Sequence, residues 1–363
     1  MTEVKDLLRD PLKSSSGYQP GGKKLVMSDD VKTVIQLNAN ENQLGPSPKA
    51  VEAMQEAAKI SHLYPFTFDQ MGKVRSFIAD QYDVDPENLM ITSGSSGIIS
   101  AFGEIFLNPG DEVVTCVPTY DSYRAVTSRY GAVYKTAPLK DYTFDLDAMA
   151  DLITEKTKLI IIVNPNNPTG TLIANEDLDA FMEKVPDHVI TVIDEAYFEW
   201  IGHPDYESSI KYVKAGKKVA VLKTFSKLYG MAGVRIGYGI MHKDICQAMR
   251  TVEFNYGVSR IGLAGAMAAM SDTDYKQRSL ENNTKGRDFL MKVLLEVGFE
   301  PVPSYANFIY FVPKGISAED LVSELAYHGV MIRQFGEFGR VSIGLDWQNQ
   351  LFADTLRQIM TNH

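Results

Sequence analysis

Residues 221–239 read Val-Leu-Lys-Thr-Phe-Ser-Lys-Leu-Tyr-Gly-Met-Ala-Gly-Val-Arg-Ile-Gly-Tyr-Gly. An apolar run from Val219 to Leu222 leads into Thr224, Ser226 and Lys227, and a second run from Ile236 to Met241 follows Arg235 directly. Two strands joined by a polar, glycine-broken crossing is the simplest reading. Taken alone, a lysine in such a crossing is solvated surface. Two further stretches change that reading. Pro165-Asn166-Asn167-Pro168-Thr169-Gly170 follows the mostly apolar strand Leu159 to Val163, and Asp194-Glu195-Ala196-Tyr197 follows the strand Val189 to Ile193. Open α/β sheets bind ligands beyond the carboxyl ends of buried strands, where these polar residues fall.

The 363 residues allow one large core and a second, smaller one. An apolar fraction of 45% is that of an ordinary globular chain. A net charge of -10 without a basic run argues against nucleic acid and anionic membrane as partners. No basic region is followed by an N-terminal apolar stretch, so no signal peptide is expected. The longest apolar segments fall short of a membrane span. Cys116 and Cys246 stand apart, with neither a zinc pattern nor a disulfide framework, and each reads as a small buried hydrophobe. No metal is expected, and the reducing context points to the cytoplasm.

Ser14 to Gly22 reads as an arm or loop. Asn40, Glu41, Asn42, Gly45 and Pro46 suggest a structured turn into a helix over 48–59, capped by Ser47 with Pro48 in its first turn. A helix is expected over 69–82 and a short strand over 89–92. Ser93-Gly94-Ser95-Ser96-Gly97 then opens an apolar helix over 98–107, whose free backbone N–H groups could accept a phosphate. Tyr120 is expected between the strand 112–117 and a helix over 120–129. A further strand over 132–136 and a helix over 145–154 follow. The Ala/Gly-dense helix 259–270 implies close packing, and a long helix spans about 274–297. After it come strands over 308–311, 330–333 and 340–345 and helices over 318–327 and 347–361. The expected division is 1–37 as an arm joined to the small domain, 38–255 as the large domain, and 256–363 as the small domain with its connecting helix.

The three polar stretches together resemble the fold type I aminotransferases, pyridoxal-phosphate enzymes related to aspartate aminotransferase, and within them the histidinol-phosphate branch. The resemblance runs from the Asn40 region to Arg340. It implies an α/β fold with a large domain holding a mostly parallel seven-stranded sheet, and a small α/β C-terminal domain. It also implies a homodimer with shared sites. Such an enzyme needs a lysine amine to bond the cofactor aldehyde and to move protons, and Lys227 is the candidate. A buried carboxylate should hold the ring nitrogen protonated. Asp194 and Glu195 compete by charge, side-chain alternation lets only one face the cofactor, and the family pattern assigns Asp194. Tyr197 and Asn167 would donate to the phenolic oxygen, Tyr120 would stack on the ring, and Asn166 would form the turn. Ser95, Ser96, Thr224, Ser226 and Arg235 would hold the phosphate, with Tyr64 reaching it from the other subunit. The spacing from Lys227 to Arg235 matches the family's phosphate arginine.

At the substrate end the resemblance implies Arg333, Arg340 and Tyr18 of the partner arm as anion-binding groups, and the Asn40 segment as the entrance. Gln43 stands where the family usually has proline. Gln334 to Gly339 form a short loop between the two arginines, with Phe335 and Phe338 offering an aromatic surface. The implied reaction is transamination between an amino donor, histidinol phosphate first, and a 2-oxo acid such as 2-oxoglutarate. An aromatic or other amino-acid donor is the close rival. Decarboxylation of a phospho-amino acid and a non-catalytic binding role are the remaining readings.

Overall fold

The computed structural model describes residues 4–13, 26–65, 69–252 and 257–361. Tyr18 and its arm, and Phe254 to Tyr256, lie outside the described residues. The central sheet is built from the apolar runs. Val219–Thr224 and Gly237–Met241 are buried along their whole length, as near-continuous hydrophobic strands covered on both faces must be. The strands lie side by side in the order Leu89–Thr92, Gly237–Met241, Val219–Thr224, Ile190–Asp194, Thr157–Val163, Glu112–Val117, Val133–Lys140, Thr143–Phe144. Only Gly237–Met241 and Thr143–Phe144 run against the rest.

The sheet therefore has eight strands, one more than expected. The extra strand is a two-residue hairpin return onto Val133–Lys140, which itself runs longer than its apolar signal. The first reading of residues 221–239 holds. Thr224 pairs with Gly237 across an antiparallel ladder, so the chain leaves the sheet and re-enters it at the same level. Lys227 and Arg235 are thereby brought to one end of the sheet, beside the carboxyl ends of Thr157–Val163 and Ile190–Asp194.

The Ser47 hydroxyl caps the helix Pro48–Ala58 by accepting the Ala50 N–H at 3.2 Å, and it donates to the buried Asp272 carboxylate at 2.7 Å. Asp272 in turn caps the long helix Thr273–Glu296. The Ala/Gly-rich helix Arg260–Ser271 lies directly on Pro48–Ala58: a Cβ at Gly265 would come within 2.7 Å of Met54 Cγ. Three expected boundaries move. The apolar helix starts at Ser95 rather than 98, the helix after Tyr120 starts at Ser122, and the helix expected over 145–154 ends at Ala150.

Two apolar cores form. The first gathers around the central sheet and takes in Val258, Leu263, Ala266, Ala269 and Met270. The second joins Ile35 and Leu37 to Leu290, Phe311, Leu325, Val341 and Phe352. The expected start of the small unit at 256 thus falls inside the first core, because the small side chains of Arg260–Ser271 pack on Pro48–Ala58, and the second core begins within Thr273–Glu296. The second core underlies a four-stranded antiparallel sheet in the order Glu300–Pro301, Phe308–Val312, Phe338–Ser342, Arg333–Phe335. Ile35–Gln36 pairs in parallel with Val330–Met331, tying the segment before the large unit to the small one. The strand expected over 330–333 is split at Ile332, and the strand expected over 340–345 is Phe338–Ser342, so Arg340 sits inside it rather than at its start.

Candidate active site

A cavity of about 540 Å³ opens where the central sheet's carboxyl ends meet the small sheet. It is lined by Asn40, Ser95, Ser96, Tyr120, Asn167, Asp194, Tyr197, Thr224, Ser226, Lys227, Arg235, Arg333 and Arg340. Those residues come from separate parts of the chain, and the sheet's geometry gathers them. Tyr64 does not line the cavity; its side chain is largely exposed, at 59%, and its backbone carbonyl accepts from Arg260.

Lys227 Nζ donates to the Ala39 carbonyl at 3.1 Å and lies 5.5 Å from the centre of the Tyr197 ring. Burial of the amine, with Arg340 and Arg235 nearby, lowers its pKa to about 8, against the opposing pull of Glu41 and Asp194. A lysine so placed is part-neutral at physiological pH, as a nucleophile and proton carrier must be.

Asp194 is 3% exposed and closes the strand Ile190–Asp194. Burial raises its pKa, while the Tyr123 hydroxyl, donating at 2.8 Å, and the Ala196 N–H, donating at 3.1 Å, hold it down. Strand alternation sends Glu195 the other way. Its carboxylate lies 3.0 Å from the buried Lys223 amine, which also pairs with Glu199 at 2.9 Å. Ser208 and the Ser209 N–H complete the set around Glu195. Of the two acids, Asp194 lines the cavity and Glu195 does not.

The Tyr197 hydroxyl accepts from Asn40 Nδ2 at 3.0 Å and Asn167 Nδ2 at 3.3 Å. Burial raises its pKa. Asn166 turns inward, donating to the Pro118 carbonyl and the Thr169 hydroxyl. Tyr120 meets Tyr123 edge-on, with ring centres 6.1 Å apart. At the start of helix Ser95–Phe106, Arg235 reaches Ser226 Oγ and Ser96 Oγ, each at 3.5 Å, while Thr224 Oγ1 accepts the Ser226 N–H. Gly237 allows the strand to approach this helix start: a Cβ there would run into the Ser95 nitrogen and Gly94. Arg340 donates to the Asn167 side-chain oxygen and to the Asn38 carbonyl, the latter at 2.8 Å. Its guanidinium stacks on Phe308 and Phe335. Arg333 lies directly opposite Arg340 across the ladder and packs on Phe335 from its own side.

A family model described as aminotransferase class I and II matches residues 32–353. The chain belongs to the class I and II aminotransferases. This aminotransferase is 37% identical over 360 residues to histidinol-phosphate aminotransferase of Moorella thermoacetica, covering 97% of the chain and 92% of that protein. It is 36% identical over 362 residues to histidinol-phosphate aminotransferase 2 of Nitrosospira multiformis, covering 97% and 91%. Its fold superposes with a TM-score of 0.86 on histidinol-phosphate aminotransferase from Sinorhizobium meliloti in complex with pyridoxal-5'-phosphate, at 28% identity over 91% of this chain and 92% of that one. The enzyme depends on pyridoxal phosphate, and its own residues fit that group. Asp194 is a buried carboxyl that makes no ion pair among the described residues, which suits a ring N–H⁺. Arg235 and the helix start at Ser95 converge as a phosphate cradle requires. Among the described residues there is no metal-binding cluster, and no helix is long and apolar enough to cross a membrane.

Tyr123 was not singled out from the sequence. No local pattern marks it, because Tyr120 precedes the helix Ser122–Arg129 and the partner of Tyr123, Asp194, is distant in sequence.

Proposed function

We propose that this aminotransferase moves the amino group of histidinol phosphate to 2-oxoglutarate, leaving imidazole acetol phosphate and glutamate. The observation that carries this reading is the pair Arg333 and Arg340. They face one another across a hairpin, in the same cavity as Lys227. Two guanidinium groups at one wall suit a phosphate dianion better than a single carboxylate. When bound, pyridoxal phosphate supplies an electron-withdrawing ring and an aldehyde carbon that accepts and gives up the amino group.

The chain's residues have separate tasks in this reading. Lys227 Nζ would hold the cofactor, and as a neutral amine it would take the proton from the amine-bearing carbon of the donor. Asp194 keeps the ring nitrogen protonated. Tyr197 and Asn167 hydrogen-bond the phenolic oxygen, and Tyr120 covers the ring. Ser95, Ser96, Thr224, Ser226 and Arg235 anchor the phosphate of the cofactor. Asn40 fixes Tyr197 and forms the entrance. A homodimer completes the site, with Tyr64 and Tyr18 supplied by the partner subunit; the outward-facing Tyr64 side chain supports this. A cytoplasmic location accords with Cys116 and Cys246, both buried as thiols.

One observation favours a second reading. Phe335 lines the cavity with its ring 5.5 Å from the Arg333 guanidinium and 5.0 Å from that of Arg340, an apolar surface that suits an aromatic amino donor. The test is a visible absorbance titration of the purified holoenzyme with histidinol phosphate, phenylalanine, tyrosine, histidine, glutamate and threonine phosphate, with product analysis. Loss of the cofactor's yellow colour with histidinol phosphate, far below the concentration needed for phenylalanine, is the expected result. Reaction only with free amino acids would assign the arginines to a carboxylate and sink the phosphate reading.

A further inference from the structure

The turn that carries Glu41 is held on both sides. Asn40 is 1% exposed, its side chain bonded to Tyr197 and to Ser342, and its carbonyl accepts from Asn307. The Asn42 amide donates to the Leu228 carbonyl, the Tyr275 hydroxyl and Ser279. Glu41, between these two anchored residues, lines the cavity. Among the described residues its carboxylate makes no hydrogen bond and no ion pair, and acts on Lys227 only through its charge, which opposes the lowering of that amine's pKa. The other two acids on the cavity wall are already matched. Asp121 is held by Arg124 at 2.8 and 3.1 Å, and Asp194 by Tyr123 and Ala196. The wall is otherwise cationic, with Lys227, Arg235, Arg333 and Arg340.

This inference rests on the reading of the donor as histidinol phosphate. That molecule has three ends: an amine, a phosphate and an imidazole. Lys227 marks the place of the amine, and Arg333 with Arg340 that of the phosphate. The imidazole is the remaining end, and Glu41 is the remaining charged group. We infer that the Glu41 carboxylate accepts the imidazole N–H of the amino donor and so selects an imidazole side chain over an aromatic hydrocarbon. The selection works in both directions. An N–H gains a charge-assisted hydrogen bond, whereas a phenyl ring strips water from a carboxylate and returns nothing.

The test compares two donors that differ only in the ring, histidinol phosphate and phenylalaninol phosphate, in wild type, Glu41→Ala and Glu41→Gln holoenzymes. Glu41→Ala is expected to lower kcat/KM for histidinol phosphate at least about tenfold more than for phenylalaninol phosphate, mostly through KM. Glu41→Gln, which keeps an acceptor without the charge, should fall between. Equal losses for both donors, or no loss for either, would overturn the Glu41 assignment while leaving the donor reading intact. A wild-type enzyme that does not take histidinol phosphate sinks the donor reading and this inference together.

Discussion

Lys227 makes the chemistry of the site pH-dependent in a defined direction. Its amine is neutral above about 8 in the folded protein, instead of above 10.5. In cofactor-free enzyme the rate of covalent pyridoxal phosphate capture should therefore rise about tenfold per pH unit below 8 and level off above it. A rate that still climbs beyond pH 10 would show an unshifted lysine. The same shift bears on stability. The charged amine is penalised in the folded state below pH 8, and that penalty is relieved as pH rises from 8 to 10.5. Tyr123 acts one step back, through Asp194. Tyr123→Phe removes the hydroxyl that holds the Asp194 pKa down, so Asp194 should bind a ring proton less firmly. We expect roughly tenfold weaker cofactor binding and a displaced pH titration of the cofactor's absorbance. A variant with lower kcat alone, and neither of those changes, would assign Tyr123 to packing. At this scale the sequence was legible where chemistry demands a residue type at a strand end, as with Lys227 and Asp194. It was silent on Tyr123, whose bond to Asp194 spans 71 residues and follows no local pattern.

At the scale of elements, periodicity and caps located helices and strands well, as Ser47 with Pro48 and the run Val219–Thr224 illustrate. Polar tracts were less readable. Arg333–Phe335 and Phe338–Ser342 form one hairpin around Gly336, at φ +58°, and neither arginine's strand has a clean alternating pattern. Gln43, where the family usually has proline, spends its side chain on the Gln36 carbonyl and on Gln348, linking the entrance turn to the last helix. Gly237 shows how a strand and a helix start share one narrow space. Gly237→Ala forces the Ser95 nitrogen and Gly94 away, so the phosphate cradle opens. Its pyridoxal phosphate dissociation constant should rise at least about tenfold, measured by equilibrium dialysis. An unchanged constant would mean that the helix start is not part of the cradle.

For the whole molecule, the α/β class was legible from apolar strands ending in polar loops. The division between units was not. Arg260–Ser271 reads as a closely packed small-residue helix, and only its partner Pro48–Ala58 shows which core it serves. The proposed homodimer makes a prediction at this scale. Mixed dimers of Lys227→Ala and Tyr64→Ala subunits would contain one site with both residues intact, so their activity should exceed the average of the two parents. Activity that only averages the parents would place Tyr64 outside the partner's site.

The pairing of Ile35–Gln36 with Val330–Met331, and the bonds from Asn40 to Ser342, join residues about 300 positions apart. A ribosome delivers the first of these partners early and the last near the end of synthesis. The cavity wall that covers Lys227 through the Ala39 carbonyl therefore lacks these late partners while the chain is growing, and rests only on the earlier bonds of Asn40 and Asn42 to Tyr197, Leu228, Tyr275 and Ser279. Nascent chains halted before residue 330 should leave the lysine amine open to small aldehydes, and the finished enzyme is the first form able to choose among them.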